Sequence, residues 1–112
     1  MSGGAQLSVT DLRRSTRHPV HLPVIGEHRR LGDVMLNIVN VSTTGFMVRD
    51  TLDLGRGERV TLRLPHIGRI EAFLVWSDET RAGFQFERII RQDDFTKMIK
   101  QLQPNARLRG KG

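Results

Sequence analysis

The stretch RVTLRLPHIGRIEAFLVWSDETRAGFQF, residues 59–86, decides how the chain folds. Val60, Leu62 and Leu64 alternate with Arg59, Thr61 and Arg63, the period of a strand that turns one face to solvent. Pro65 ends that strand, since proline has no amide hydrogen to give to a ladder. Ile70 to Trp76 is a long, largely apolar strand, and Ser77-Asp78-Glu79-Thr80 turns it into Ala82 to Phe86, where Phe84 and Phe86 share a face. A short polar turn between two such runs makes a hairpin.

Working outward from this hairpin, the pattern repeats. His18 to Ile25 interleaves Val20, Leu22 and Val24 with His21 and Pro23, which predicts an edge-like first strand. Gly26 to Gly32 is a charged turn, and Asp33 to Val39, with Val34, Leu36 and Ile38, is a mostly buried second strand. Asn40 to Thr44 has the composition of a tight turn, and after Gly45 strand character resumes in Phe46-Met47-Val48-Arg49. Residues 53–57 form another turn. Six short strands with no helix between them predict an all-β, antiparallel barrel or sandwich, and closing a barrel removes exposed edges.

The last element differs. Phe95, Met98, Ile99 and Leu102 fall at i, i+3, i+4 and i+7, behind Asp93 and Asp94 and ahead of Pro104, which predicts a short amphipathic C-terminal helix packed on the barrel. The domain is expected over 11–102, between a flexible leader, 1–10, and a disordered basic tail, 103–112.

The chain has 112 residues, room for one domain and one core. With 38% hydrophobic and 27% charged residues it has the composition of a soluble globular protein. It has no cysteine, which excludes disulfides, thiolate metal sites and cysteine nucleophiles, and fits the cytoplasm. No membrane span or signal peptide is visible. The net charge of +6 is unevenly spread: residues 1–30 hold five arginines against Asp11 and Glu27, the tail adds Arg107, Arg109 and Lys111, and the body between balances ten basic with ten acidic residues. The basicity belongs to the ends.

Two clusters stand out. Arg13-Arg14-Ser15-Thr16-Arg17 concentrates three guanidinium groups in five residues, a repulsive arrangement unless an anion is held, and the planar fork of arginine suits phosphate and guanine edges. Asn40-Val41-Ser42-Thr43-Thr44-Gly45 offers short polar groups and a glycine where a ligand can approach backbone. Each has a plainer reading. A charged leader is usually just solvated, Asn and Ser often close a turn by bonding their own backbone, and glycine often serves a bulge or positive φ.

Both clusters in this order, RxxxR at Arg13 and Arg17 and [DN]xSxxG at Asn40, Ser42 and Gly45, resemble the PilZ domain. Val75-Trp76 at a strand end and Gly83-Phe84-Gln85-Phe86 after a turn fit as well. The resemblance covers about residues 11–102. It implies a six-stranded antiparallel PilZ-type β-barrel with a short C-terminal helix, acting as a bacterial, cytoplasmic receptor for cyclic di-GMP that binds as an intercalated dimer. In such receptors the RxxxR segment closes over ligand resting on the [DN]xSxxG surface. Carried to this chain, Arg13 and Arg17 are the main contacts, Arg14 a secondary one, and Asn40, Ser42 and Gly45 the surface beneath. An intercalated pair presents four phosphodiester charges, a demand clustered arginines answer. Asn40 stands where many members carry Asp; it offers one acceptor oxygen and no charge. A single domain without catalysis must signal through a partner protein.

No nucleophile, base and orienter come together in the sequence, so an enzyme is not expected, and neither is a cofactor beyond the ligand. His18, His21, His28 and His66 lack a carboxylate or cysteine at metal-ligand spacing. Trp76 could stack on a base, but its strand pattern assigns it to the barrel interior. The alternatives are a PilZ-like interaction adaptor that binds no nucleotide and a nucleic-acid-binding barrel. The neutral body and an aromatic content of 5% argue against the second.

Overall fold

The computed structural model describes residues 16–50 and 53–102. The predicted leader, the basic tail, Arg13 and Arg14 lie outside them. Six antiparallel strands, β1 (His18–His28), β2 (Gly32–Val41), β3 (Gly45–Arg49), β4 (Arg59–Leu64), β5 (Gly68–Ser77) and β6 (Arg81–Phe86), close into a barrel in the order β1-β2-β3-β6-β5-β4. One helix, α1 (Gln92–Leu102), follows.

Alternation fills the barrel. Leu36, Ile38, Val48, Val60, Leu62, Ile70, Ala72 and Leu74 are buried while their neighbours face outward, as period-two patterning requires. Phe46 and Phe84 are register partners and stack with ring centroids 5.0 Å apart, and Phe86 lies 5.4 Å from Phe46. These three rings join β3 to β6 at the centre of the core. Gly45 makes the approach possible, since a Cβ there would collide with the Phe84 carbonyl oxygen.

The helix closes one end of the barrel with Phe95, Met98 and Ile99 buried, the face its spacing predicted. Two contacts seat it and a third holds the segment just ahead of it. The His18 ring meets Phe95 edge-on at 5.2 Å, the His66 ring pairs with Asp94 at 3.1 Å, and the Ile90 amide donates to the Thr43 carbonyl at 2.9 Å. The helix is thereby tied to the start of β1, to the β4–β5 turn and to the β2–β3 turn.

Two boundaries differ from the sequence pattern. The turn expected over Gly26 to Gly32 shrinks because β1 runs on to His28. The turn expected over Asn40 to Thr44 begins only at Ser42, since Asn40 and Val41 still pair within β2. The first strand is also not an edge: it pairs with β2 at both ends, with a register shift between Pro19 and Leu22, and meets β4 at Glu27–Thr61. Pro19 and Pro23 sit in the half of β1 that has no register partner in β4, where a missing amide hydrogen costs nothing on that side.

The opposite end is held by a polar clasp. His28, 7% exposed, accepts the Arg30 and Leu31 amides at Nδ1, 3.2 and 3.0 Å away, so its proton sits on Nε2 and donates to Glu58 Oε1 at 2.6 Å. Glu58 also accepts the Gly55 amide at 2.7 Å and Arg30 at 3.1 Å. The Gly55 amide above all, with His28 and Arg30, holds the Glu58 carboxyl below its ordinary value of 4.5, against a smaller opposing effect of desolvation. A lowered carboxyl contributes stability that is present above the ordinary value and lost as pH falls through the folded one. Glu58→Gln is therefore expected to melt below the wild type at pH 7, and the two melting temperatures should converge in scans taken progressively below pH 4.5. An undiminished gap at pH 3 would show that the clasp does not depend on ionised Glu58.

Candidate functional site

Two register slips decide what the barrel shows to solvent. In β2, Leu36 and Ile38 point inward, so simple alternation would send Asn40 inward too. The register shifts between Ile38 and Asn40, after which Val41 takes the inward position at 0% exposed and Asn40 comes to the outer face. In β5 the same happens between Leu74 and Trp76. Ile70, Ala72 and Leu74 are buried, yet Trp76 is 40% exposed. The expectation that Trp76 fills the interior is thus corrected: the bulge turns the indole outward.

The slips align a row across five strands. Pro19 pairs with Asn40, Asn40 with Met47, Met47 with Gly83, and Gly83 with Trp76. The Trp76 indole lies across Gly83, where a Cβ would run into the ring. A glycine inside a strand marks such close approaches, so Gly83 was the available sign that Trp76 lies outside. Arg17, just ahead of β1, reaches Asn40 and donates from its guanidinium to Asn40 Oδ1 at 3.0 Å. Along the row runs a cleft of about 240 Å³, bordered by Arg17, Thr44, Gly45, Met47, Trp76 and Gln85.

The expected site residues fare differently. Arg17 and Asn40 are in contact, and Gly45 borders the same cleft. Arg13 and Arg14 lie outside the described residues. Ser42 is 2% exposed, and its hydroxyl is engaged in the turn: it accepts the Thr44 amide at 3.2 Å and lies 3.1 Å from the Thr44 hydroxyl. Its amide donates to the Gly45 carbonyl at 2.8 Å. Ser42 therefore shapes the turn from beneath. Gly45 likewise has a backbone reason for its identity, the Phe84 carbonyl.

The histidines divide as well. His28 and His66 do have carboxylate partners, Glu58 and Asp94, supplied from 30 and 28 residues away and so invisible to local spacing. Among the described residues no group of three or more His, Asp or Glu could hold a metal ion, and no helix is long and apolar enough to cross a membrane.

The seating of Trp76 gives two measurable consequences. Trp76 is the chain's one tryptophan, so its emission reports its surroundings cleanly. Gly83→Ala should push the indole off the sheet and shift its emission to the red; an unchanged maximum would mean that the ring does not rest on Gly83. Trp76→Ala should destabilise by only about 1 kcal/mol, against about 3–5 kcal/mol for Phe46→Ala in the core, measured by urea unfolding. Equal losses would return Trp76 to the interior.

A family model, the PilZ domain, matches residues 11–102 of this sequence. A search of curated proteins gave no match. With most of its length matched and a six-stranded closed barrel followed by one short helix, the chain belongs to the PilZ family. PilZ domains are binding and receptor domains, in general for cyclic di-GMP.

Proposed function

We propose that this PilZ domain is a cytoplasmic receptor for cyclic di-GMP, which it binds on the outer row from Asn40 to Trp76 and reports to a partner protein without catalysis. The observation that carries the reading is the Arg17–Asn40 hydrogen bond at one end of that row, with an exposed indole at the other. A nucleotide with two phosphodiesters and two guanines needs cationic forks, an acceptor for guanine N–H groups and a flat apolar surface. Arg17, Asn40 and Trp76 offer these in turn.

Arg17 donates to the Asn40 oxygen. An arriving guanine competes for that oxygen through its own N–H donors, and the freed guanidinium turns to phosphate or to guanine O6 and N7. Arg13 and Arg14 complete the arm: their mutual repulsion with Arg17 is cancelled only by the anion, so closure of the arm is coupled to binding. An intercalated dimer of the ligand suits three arginines better than a single molecule does. Ser42 acts through the turn, keeping Asn40 and Gly45 in register. That turn also receives the Ile90 amide just ahead of α1, which gives the site a direct mechanical link to the helix and a route by which binding alters a partner-facing surface.

Calorimetric titration with cyclic di-GMP tests the reading. Wild type should give saturable heat at micromolar protein and GTP none. Arg17→Ala should weaken binding by at least tenfold, about 1.4 kcal/mol, and Trp76→Ala should weaken it while leaving the fold intact. Absence of heat with wild type would sink the receptor reading and favour the adaptor.

A further inference from the structure

The side of the barrel away from the cleft carries a second feature. Going round the strands, the β1–β4 seam lies three strands from the β3–β6 seam in either direction, on the far side of the cylinder. It is also the sparsest junction. β1 and β4 share one register position, Glu27 with Thr61, whereas the β4–β5 ladder runs from Arg59–Phe73 to Leu64–Gly68. A groove of about 330 Å³ opens at the seam, with Val24 and Ile25 on one wall and Leu62, Arg63 and Arg69 on the other.

The charges in this groove are uncompensated. Arg63 and Arg69 are register partners, and like charges directly opposite one another weaken a sheet. Nearby Arg59 is answered by Glu87 at 2.9 Å and Glu71 at 3.9 Å. Among the described residues the side chains of Arg63 and Arg69 make no ion pair or hydrogen bond, and Glu27, which also lines the groove, pairs with neither. Beside them Ile25 is 51% exposed and its register partner Met35 50% exposed. Two unanswered forks against an apolar wall call for an occupant that brings both carboxylates and an apolar side chain.

We propose that the β1–β4 groove docks an extended acidic segment of a partner protein, its carboxylates forking to Arg63 and Arg69 and an apolar side chain resting on Ile25. In an extended chain, alternate residues point the same way, so two acidic residues and an apolar one at alternating positions present a single matching face. The chain's own ends do not suit. Residues 103–112 carry Arg107, Arg109 and Lys111 with no acid, and residues 1–15 carry Arg13 and Arg14 against Asp11. A second copy docked face to face would set arginine against arginine. The groove and the nucleotide cleft share no lining residue, so a partner can dock here whether or not the cleft is filled.

A fluorescein-labelled peptide, Ser-Glu-Ser-Glu-Ser-Leu-Ser, titrated into the full chain by anisotropy with a parallel amide NMR titration, tests this. Saturable binding with shifts at 24–27, 61–63 and 69 is expected, with at least tenfold weaker binding when Lys replaces both Glu or Ser replaces Leu. Arg69→Glu should separate function from folding: it turns a like-charge cross-strand pair into an opposite one, so the melting temperature should rise while peptide affinity falls at least tenfold. Ile25→Ser should lower affinity with the spectrum of the barrel unchanged. Absence of saturable binding at millimolar peptide, or shifts confined to 40–47, 76 and 83, would overturn the proposal. So would tighter binding of an oligothymidylate or of anionic lipid vesicles with the same dependence on Arg69, which would make the surface a nucleic-acid or membrane face.

Discussion

The contact of β3 with β6 at Gly45 is the constraint on which the rest hangs. The Phe84 carbonyl occupies the space any Cβ would need, so only glycine lets the strands pair there. That pairing stacks Phe46 on Phe84 and brings Phe86 against Phe46, which builds the middle of the core. It also sets the turn before Gly45, where the Ser42 amide bonds the Gly45 carbonyl and the Thr43 and Thr44 carbonyls accept from Ile90 and Phe86. One absent side chain thus couples the core, the turn of the candidate site and the approach to the helix.

The candidate site is made by interruptions of the barrel's regularity. Ideal alternation would have buried both Asn40 and Trp76; the slips in β2 and β5 rotate them outward and place them at opposite ends of one row. A bulge is a cheap way to do this, because it adds a residue on one strand without moving the partner strand. Gly83 then lets the indole lie flat on the sheet instead of standing away from it. The result is a shallow surface with an arginine at one end and an aromatic plane at the other, open to a flat charged ligand.

Charge divides the barrel in a complementary way. The body is neutral in sum, but its pairs are unequally made: Arg59 and Arg30 are matched by carboxylates, whereas Arg63 and Arg69 face each other at the seam opposite the cleft. On the two proposals, surfaces on opposite sides of one small barrel would let a single domain hold a ligand and a protein at once. The β2–β3 turn accepts the Ile90 amide just ahead of the helix.

Strand number, helix and the two clusters were legible in the sequence because they rest on local facts: alternation at period two, apolar spacing at i, i+3, i+4 and i+7, and turn residues between. The family followed from the same order of motifs, and Phe84 and Phe86 fell on one buried face as their spacing required. What alternation could not carry was parity across a bulge. Composition puts Asn40 in a turn and alternation puts Trp76 in the core, but a one-residue slip reverses every later side chain, and the slip is set by the partner strand's register. The carboxylates of His28 and His66 were hidden for a related reason, being brought in across about 30 residues by strand pairing. The sequence alone determined which elements form and which chemistry they carry; only the closed barrel decided which side chains face outward together, because that depends on register, and register is a property of paired strands.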